Sequence, residues 1–176
     1  MTSLFVDEGK ARGYVIVAAT VADADVTQLR KDVSKLRLPK QRKRVHFVDE
    51  SDGRRRSILS ELARLGVRTH VYQATGLDDR AARAWCLDNI AELAAALSAR
   101  RIVIETDDSI VESDRRTLYR ALDQRGLRES VAYTHMRASS EALLWVPDAV
   151  AWSYGRGGEW APRVEPLIEE VVSYPA

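Results

Sequence analysis

Ser3-Leu4-Phe5-Val6-Asp7-Glu8-Gly9 is an apolar run cut short by two acids and a glycine. That pattern is a buried strand whose carboxylates emerge at its tip. After the turn from Gly9 to Gly13, Tyr14-Val15-Ile16-Val17-Ala18-Ala19-Thr20-Val21 is long and rich in β-branched residues. The short connection makes it a second strand antiparallel to the first. The rest of the chain reads as helices alternating with strands, so the opening hairpin is the start of a mixed sheet.

Asp25 and Gln28 have capping-box spacing, and Val26, Leu29, Val33 and Leu36 share a helical face, predicting a helix over 26–36. Val45 to Val48 reads as a short extended piece. It ends in Asp49-Glu50-Ser51 before a helical pattern of Ile58, Leu59, Leu62 and Leu65 that Gly66 stops. Residues 67–72 alternate as a strand. A helix capped by Asp78 or Asp79 then runs to about Arg100, with Cys86 on its apolar stripe and so in the core. Arg101-Ile102-Val103-Ile104-Glu105 is a second strand ending in acids, followed by Asp107 and Asp108. A helix from Ser113 to Gly126, a strand over 131–136, an apolar helix over 143–152 and a last helix over 164–172 complete the pattern. The expectation is α/β, with an N-terminal antiparallel hairpin and helices on both faces of the sheet.

A chain of 176 residues, 45% of them hydrophobic, is ample for one domain with a proper core and short for two. Its net charge of +1, with 30% charged residues, argues neither for nor against a polyanionic partner. The single cysteine rules out an intramolecular disulfide. The chain does not begin with a basic-then-apolar leader and has no apolar run of membrane-spanning length, so a soluble, cytoplasmic protein is expected.

Local charge is more informative. Lys35, Arg37, Lys40, Arg42, Lys43 and Arg44 crowd into the segment before His46, with Pro39 preventing a continuous helix. Such a run serves either as a solvated loop or as an arm that contacts phosphates, with Arg54 to Arg56 adding further cations. Among the acids, Asp7 and Glu105 fall at the C-terminal ends of strands, where ligands collect in α/β sheets. Asp148 lies in a stretch, Leu143 to Trp152, whose other side chains are apolar, and a buried carboxylate there needs a partner or a metal. If the strands are neighbours, Asp7 and Glu105 repel each other unless a cation intervenes, and Mg²⁺ or Mn²⁺ suits carboxylate oxygens. Glu8 and Asp107 are further candidate ligands, and which of Glu105, Asp107 and Asp108 is central stays open. His46 is a candidate to position a water or move a proton.

Taken together, Phe5-Val6-Asp7-Glu8-Gly9, Tyr14 to Ala19, Val45-His46-Phe47, the acid-ending strand and Leu144-Trp145-Val146-Pro147-Asp148-Ala149 resemble a large family of bacterial and phage proteins of unknown function. That family has a ribonuclease-H-like fold, opens with Asp-Glu-Ser-Gly or Asp-Glu-Ala-Gly, and carries a late Leu-Gln-x-Ala-Asp helix. The resemblance spans Leu4 to about Tyr154 and implies a ribonuclease-H-like nuclease. Asp7, Glu8 and Asp148 match its motif directly. Glu105 stands where an aspartate is common, Trp145 and Pro147 replace the usual glutamine and alanine, and no Ser or Ala precedes Gly9. The expectation is a metal-dependent enzyme that cleaves phosphodiesters, with Asp7, Glu105, Asp148 and His46 in the reaction. Nucleic acid would be held by Lys40, Arg42, Lys43 and Arg44. The alternative is an inactive module of the same fold that binds nucleic acid or a protein. A small-molecule or nucleotide enzyme is disfavoured, because the P-loop, dinucleotide, zinc and nucleophile-elbow motifs are all missing.

Overall fold

The computed structural model describes residues 1–40 and 43–175. Its strands are β1 (Thr2–Gly9), β2 (Tyr14–Ala22), β3 (Arg68–Ala74), β4 (Ala99–Glu105), β5 (Ala132–Met136) and β6 (Ile168–Tyr174). The helices are α1 (Val26–Ser34), α2 (Asp52–Arg64), α3 (Asp79–Ala96), α4 (Val111–Gln124), α5 (Trp145–Arg156) and α6 (Trp160–Val164). One sheet carries all six strands in the order β5-β4-β1-β2-β3-β6. β2 is antiparallel to both β1 and β3, while β1 with β4, β4 with β5 and β3 with β6 are parallel. This is the mixed α/β sheet expected, with the hairpin at its centre. Among the described residues no helix is long and apolar enough to cross a membrane.

The two-residue period of the strands divides the core in two. Phe5 of β1, Val15, Val17 and Ala19 of β2 and Val103 of β4 pack under α1, α2, α5 and α6. Leu4 and Val6, Tyr14, Ile16 and Ala18, and Ile102 and Ile104 pack under α3 and α4. Cys86 lies in this second core, where burial pushes its thiol up to about 12 and keeps it an inert hydrophobe.

Several boundaries differ from the sequence reading, each for a local reason. No helix forms over 164–172. After α6 and a 3₁₀ turn (Glu165–Leu167) the chain extends as β6 and pairs with β3, whose edge would otherwise be open. The spacing of Leu167, Ile168, Val171 and Val172 suits a helix, but Pro166 and the paired valines favour a strand, and the free sheet edge decides. The extended piece expected at 45–48 instead turns at Phe47–Asp49 into a 3₁₀ helix, because Phe47 is fully buried and stacks edge-on against Trp152 with ring centroids 5.4 Å apart. Helix α1 stops at Ser34, and Asp25 takes the N-cap position without a side-chain bond. By contrast, the Ser51 side chain caps α2 through Arg54 N at 3.3 Å, and Asp78 caps α3 through Ala81 N at 2.9 Å. Helix α3 ends at Ala96 rather than near Arg100, α4 begins at Val111 rather than Ser113, and Pro147 sits in the first turn of α5, where it costs no hydrogen bond.

Candidate active site

The parity that splits the core also sorts the acids. Phe5 pairs with Val103 and Val6 with Ile104, so one step further along the parallel strands Asp7 and Glu105 come side by side. Both point to the α5 side, as Phe5 and Val103 do. Helix α5 lies close over this end of the sheet because the contacts are made by small residues. A Cβ on Gly9 would stand 3.1 Å from Ala151 Cβ, and one on Gly155 would stand 2.9 Å from Ala11 Cβ. Asp148, one turn before Trp152, is thereby carried over the strand tips. Gly155→Val is expected to force α5 away from the hairpin and cost about 1–3 kcal/mol, typical of overpacking, measured by denaturant unfolding. A variant as stable as the wild type would mean that the close approach is not required.

Asp7, Glu105 and Asp148 line one cleft of about 800 Å³ with Arg44, His46 and Asp49. Asp7 is open to the cleft but otherwise packed in protein. Burial first, then the Glu105 carboxyl within hydrogen-bonding reach, then the charge of Asp148, hold its pKa well above the carboxylate range. The amide of Glu8, donating to Asp7 Oδ1 at 2.7 Å, opposes this only in part. Burial also raises Asp148, against the pull of the Phe47 amide, which donates to its Oδ2 at 2.9 Å, and of His46 and Arg44. The turn that buries Phe47 against α5 therefore also supplies the amide that orients Asp148. Glu105 is answered by Arg44, whose Nη1 lies 2.5 Å from Oε1. Among the described residues the buried Arg44 Nε–H has no hydrogen-bond partner, so Glu105 satisfies that guanidinium incompletely.

The other expected residues are placed as follows. Glu8, of opposite parity, turns its carboxylate to the α3 side, bonded by Arg83 Nη1 at 2.7 Å and by the Tyr14 hydroxyl. Asp107 is exposed and accepts from Ser109 N at 3.0 Å, in a turn that borders a second hollow shared with Asp7 and Glu105. His46 faces the cleft with Nδ1 3.0 Å from Asp49 Oδ2. Lys40 and Lys43 are exposed, and Arg42 lies outside the described residues. Arg54, Arg55 and Arg56 are bound internally, to Glu50, to Asp52 and the Phe47 and Val48 carbonyls, and to Glu159.

Sequence reasoning missed a buried network on the opposite face of the same strand tips. Arg83 of α3 grips Asp114 of α4 through two bonds, 2.6 and 2.7 Å, and His135 Nε2 lies 3.0 Å from the same carboxylate. Burial alone would raise Asp114, but the bonds from Arg83 and His135 outweigh it and hold its pKa below the usual range. The signal was present: Arg83 is in register with Cys86 and Ile90, and Asp114 with Leu118 and Leu122. Each is therefore a charge on an apolar stripe, which requires a partner.

Three carboxylates converging from β1, β4 and α5 have the donor chemistry of a site for a hard divalent cation. As they stand, one oxygen of each is taken up, by Glu8 N, Phe47 N and Arg44 respectively for Asp7, Asp148 and Glu105. Among the described residues no group of three or more His, Cys, Asp or Glu is arranged tightly enough to hold a metal.

No family model matches the chain. No curated protein matches it either. Among solved structures it is similar to the ribonuclease HII of Archaeoglobus fulgidus, determined in its complex with PCNA. The TM-score is 0.58 at 19% identity, over 89% of this chain and 73% of that one. At that identity the likeness speaks for the fold alone, and the fold is ribonuclease-H-like.

Proposed function

We propose that this chain is a metal-dependent nuclease that hydrolyses phosphodiester bonds, with Asp7, Glu105 and Asp148 holding Mg²⁺ or Mn²⁺. The observation that carries this reading is the Asp7 carboxyl, packed at the floor of a cleft beside two further acids that raise its pKa. A protein keeps such repulsion when a ligand relieves it. Bound there, the cation would offset the carboxylate charges and stabilise charge developing on a phosphodiester. The chain's own residues would do the rest. The Phe47 amide fixes Asp148, Arg44 offers a guanidinium at the cleft to a phosphate oxygen, and His46 stands at the wall where a proton could be passed. The ribonuclease HII neighbour supports the reading at the level of fold.

One observation favours a second reading, a module that binds nucleic acid without cutting it. Arg44 already sits on Glu105 as the internal counter-charge. One experiment separates the two. Labelled single- and double-stranded DNA and RNA, and a DNA–RNA hybrid, are incubated with the protein and millimolar Mn²⁺ or Mg²⁺. Cleavage is expected, and Asp7→Asn and Asp148→Asn are each expected to slow it by about a hundred-fold or more, the scale of losing a preorganised electrostatic contact. Binding without cleavage of any substrate leaves the module. Cleavage unaltered in both variants sinks the assignment of these acids.

A further inference from the structure

The acid cleft does not end at the strand tips. Asp7, Glu8 and Glu105 also border the second hollow, which adds Arg83 and Asp107. Glu8, Arg83 and Asp107 in turn border a third, of about 860 Å³, lying between α3 and α4 on the other side of the sheet. The three share walls, so a chain lying across the tips of β1 and β4 passes from one helical layer to the other.

The third hollow is lined by five cations, Lys10, Arg80, Arg83, Arg116 and Arg120, and by four acids, each of which has a partner within the chain. Asp79 is met by Lys10 at 3.1 Å, Glu8 and Asp114 by Arg83, and Asp107 by Ser109. What is left are Arg80 in the first turn of α3 and Arg116 and Arg120 on α4. All three are exposed, and none has a hydrogen bond or ion pair to any described residue. Arg116 and Arg120 are one helical turn apart, a spacing at which like charges destabilise a helix. By contrast, Arg44 and Arg54 to Arg56, on the acid-cleft side, are bonded to internal acids and carbonyls. Tyr119, 49% exposed and with the Arg128 guanidinium 4.5 Å from its ring centroid, lies just outside this hollow, in an adjoining shallow one that Arg116 and Arg120 also line. Free guanidinium groups beside an exposed aromatic face form the combination that holds single-stranded nucleic acid, phosphates on the cations and a base on the ring.

We infer that the groove between α3 and α4 is a binding subsite for the phosphate backbone of a single-stranded nucleic acid. It takes nucleotides beyond those lying in the acid cleft, with Arg80, Arg116 and Arg120 on the phosphates and Tyr119, on the adjoining rim, under a base. The inference rests on the nuclease reading only for the direction of the strand, and the test keeps the two apart. Affinity of the full chain for a labelled twenty-nucleotide single strand, DNA and RNA in turn, is measured by fluorescence anisotropy in EDTA across a range of salt. No metal or turnover is then involved. In Arg116→Ser/Arg120→Ser the slope of log affinity against log salt should become shallower by about 1.4, at about 0.7 for each lost phosphate contact. Tyr119→Ala should weaken binding about ten-fold with the slope unchanged. All of these side chains are exposed, and an unshifted melting temperature verifies that each variant folds. An unchanged slope and affinity in the arginine variant overturns the subsite, even if the wild type cleaves. The expected slope change in a protein that never cleaves upholds the subsite and removes the nuclease. No binding of either strand by the wild type at low salt overturns the subsite outright.

Discussion

Asp7→Asn is expected to make the metal-free protein more stable at neutral pH. The gain should be about 1–2 kcal/mol, the usual yield of relieving a strained functional position, or roughly 2–8 °C in melting temperature for a chain of this size. In the wild type, burial and the neighbouring Glu105 and Asp148 raise the Asp7 pKa. The unfolded chain releases that proton near 3.8. Above that pH and up to the raised folded value, the folded state binds more protons than the unfolded one, so the Asp7 contribution to stability falls as pH rises. Asparagine has no such dependence. The difference between variant and wild type should therefore be small near pH 4, grow through the acid range and level off at neutral pH. Groups remote from Asp7 titrate alike in both proteins and cancel in the difference, while Asp148 and Glu105, freed of the Asp7 charge, add to the gain of the variant. Millimolar Mn²⁺ should then raise the wild type toward the variant by linkage and leave the variant where it is. Paired thermal melts at four or five pH values, with and without Mn²⁺, provide the check. A variant less stable than the wild type at pH 7, with a pH-independent difference, would show that the Asp7 charge is comfortably held and remove the reason for a cation.

How much of this site was legible in the sequence follows from what each residue's signal depends on. Asp7 and Glu105 could be singled out because each ends a short apolar run, a pattern that plain turns also give, and Asp148 because its neighbours are apolar; what the structure adds is that all three line one cleft. The parity of β1 was readable as well. Asp7 and Glu8 are adjacent on a strand and face opposite sides of it, so although both line the cleft, the Glu8 carboxylate is turned to Arg83 and Tyr14. Hidden, by contrast, was everything that depends on partners far along the chain. The basic run before His46 is plain as composition, yet the partner of Arg44 is Glu105, 61 residues later, and that of Arg56 is Glu159, 103 residues later. A count of cations cannot tell a spent guanidinium from a free one. The last strand was hidden for the same reason: the spacing of its apolar residues is helical, and only the unpaired edge of β3 makes the extended form the better choice.

The strongest stability effect is expected on the opposite face of the same strand tips. Arg83→Ala should cost about 3–5 kcal/mol, because it leaves the Asp114 carboxylate, 1% exposed, with His135 as its remaining side-chain partner. The same change frees Glu8, which Arg83 and Tyr14 hold at the end of β1 next to Asp7, so the acid cleft should loosen with it. The pH response has the opposite sign to that of Asp7. In the wild type the Asp114 pKa is lowered in the folded state, so its contribution is present above the unfolded value near 3.8 and is lost as pH falls through the folded one. Without Arg83 the folded pKa moves up, and acid unfolding should begin at higher pH. Since a truncated arginine also leaves a cavity, the charge is isolated with a second variant. Arg83→Met with Asp114→Leu removes both partners at similar volume, and it should regain most of the stability, as replaced buried ion pairs often do. Urea unfolding of the wild type, both single variants and the pair closes the cycle. A single loss below about 1 kcal/mol, or a double variant no better than Arg83→Met alone, would mean that the network is incidental to the fold. The position of Glu8, and through it of the β1 tip, would then have to be set by Tyr14 and the sheet.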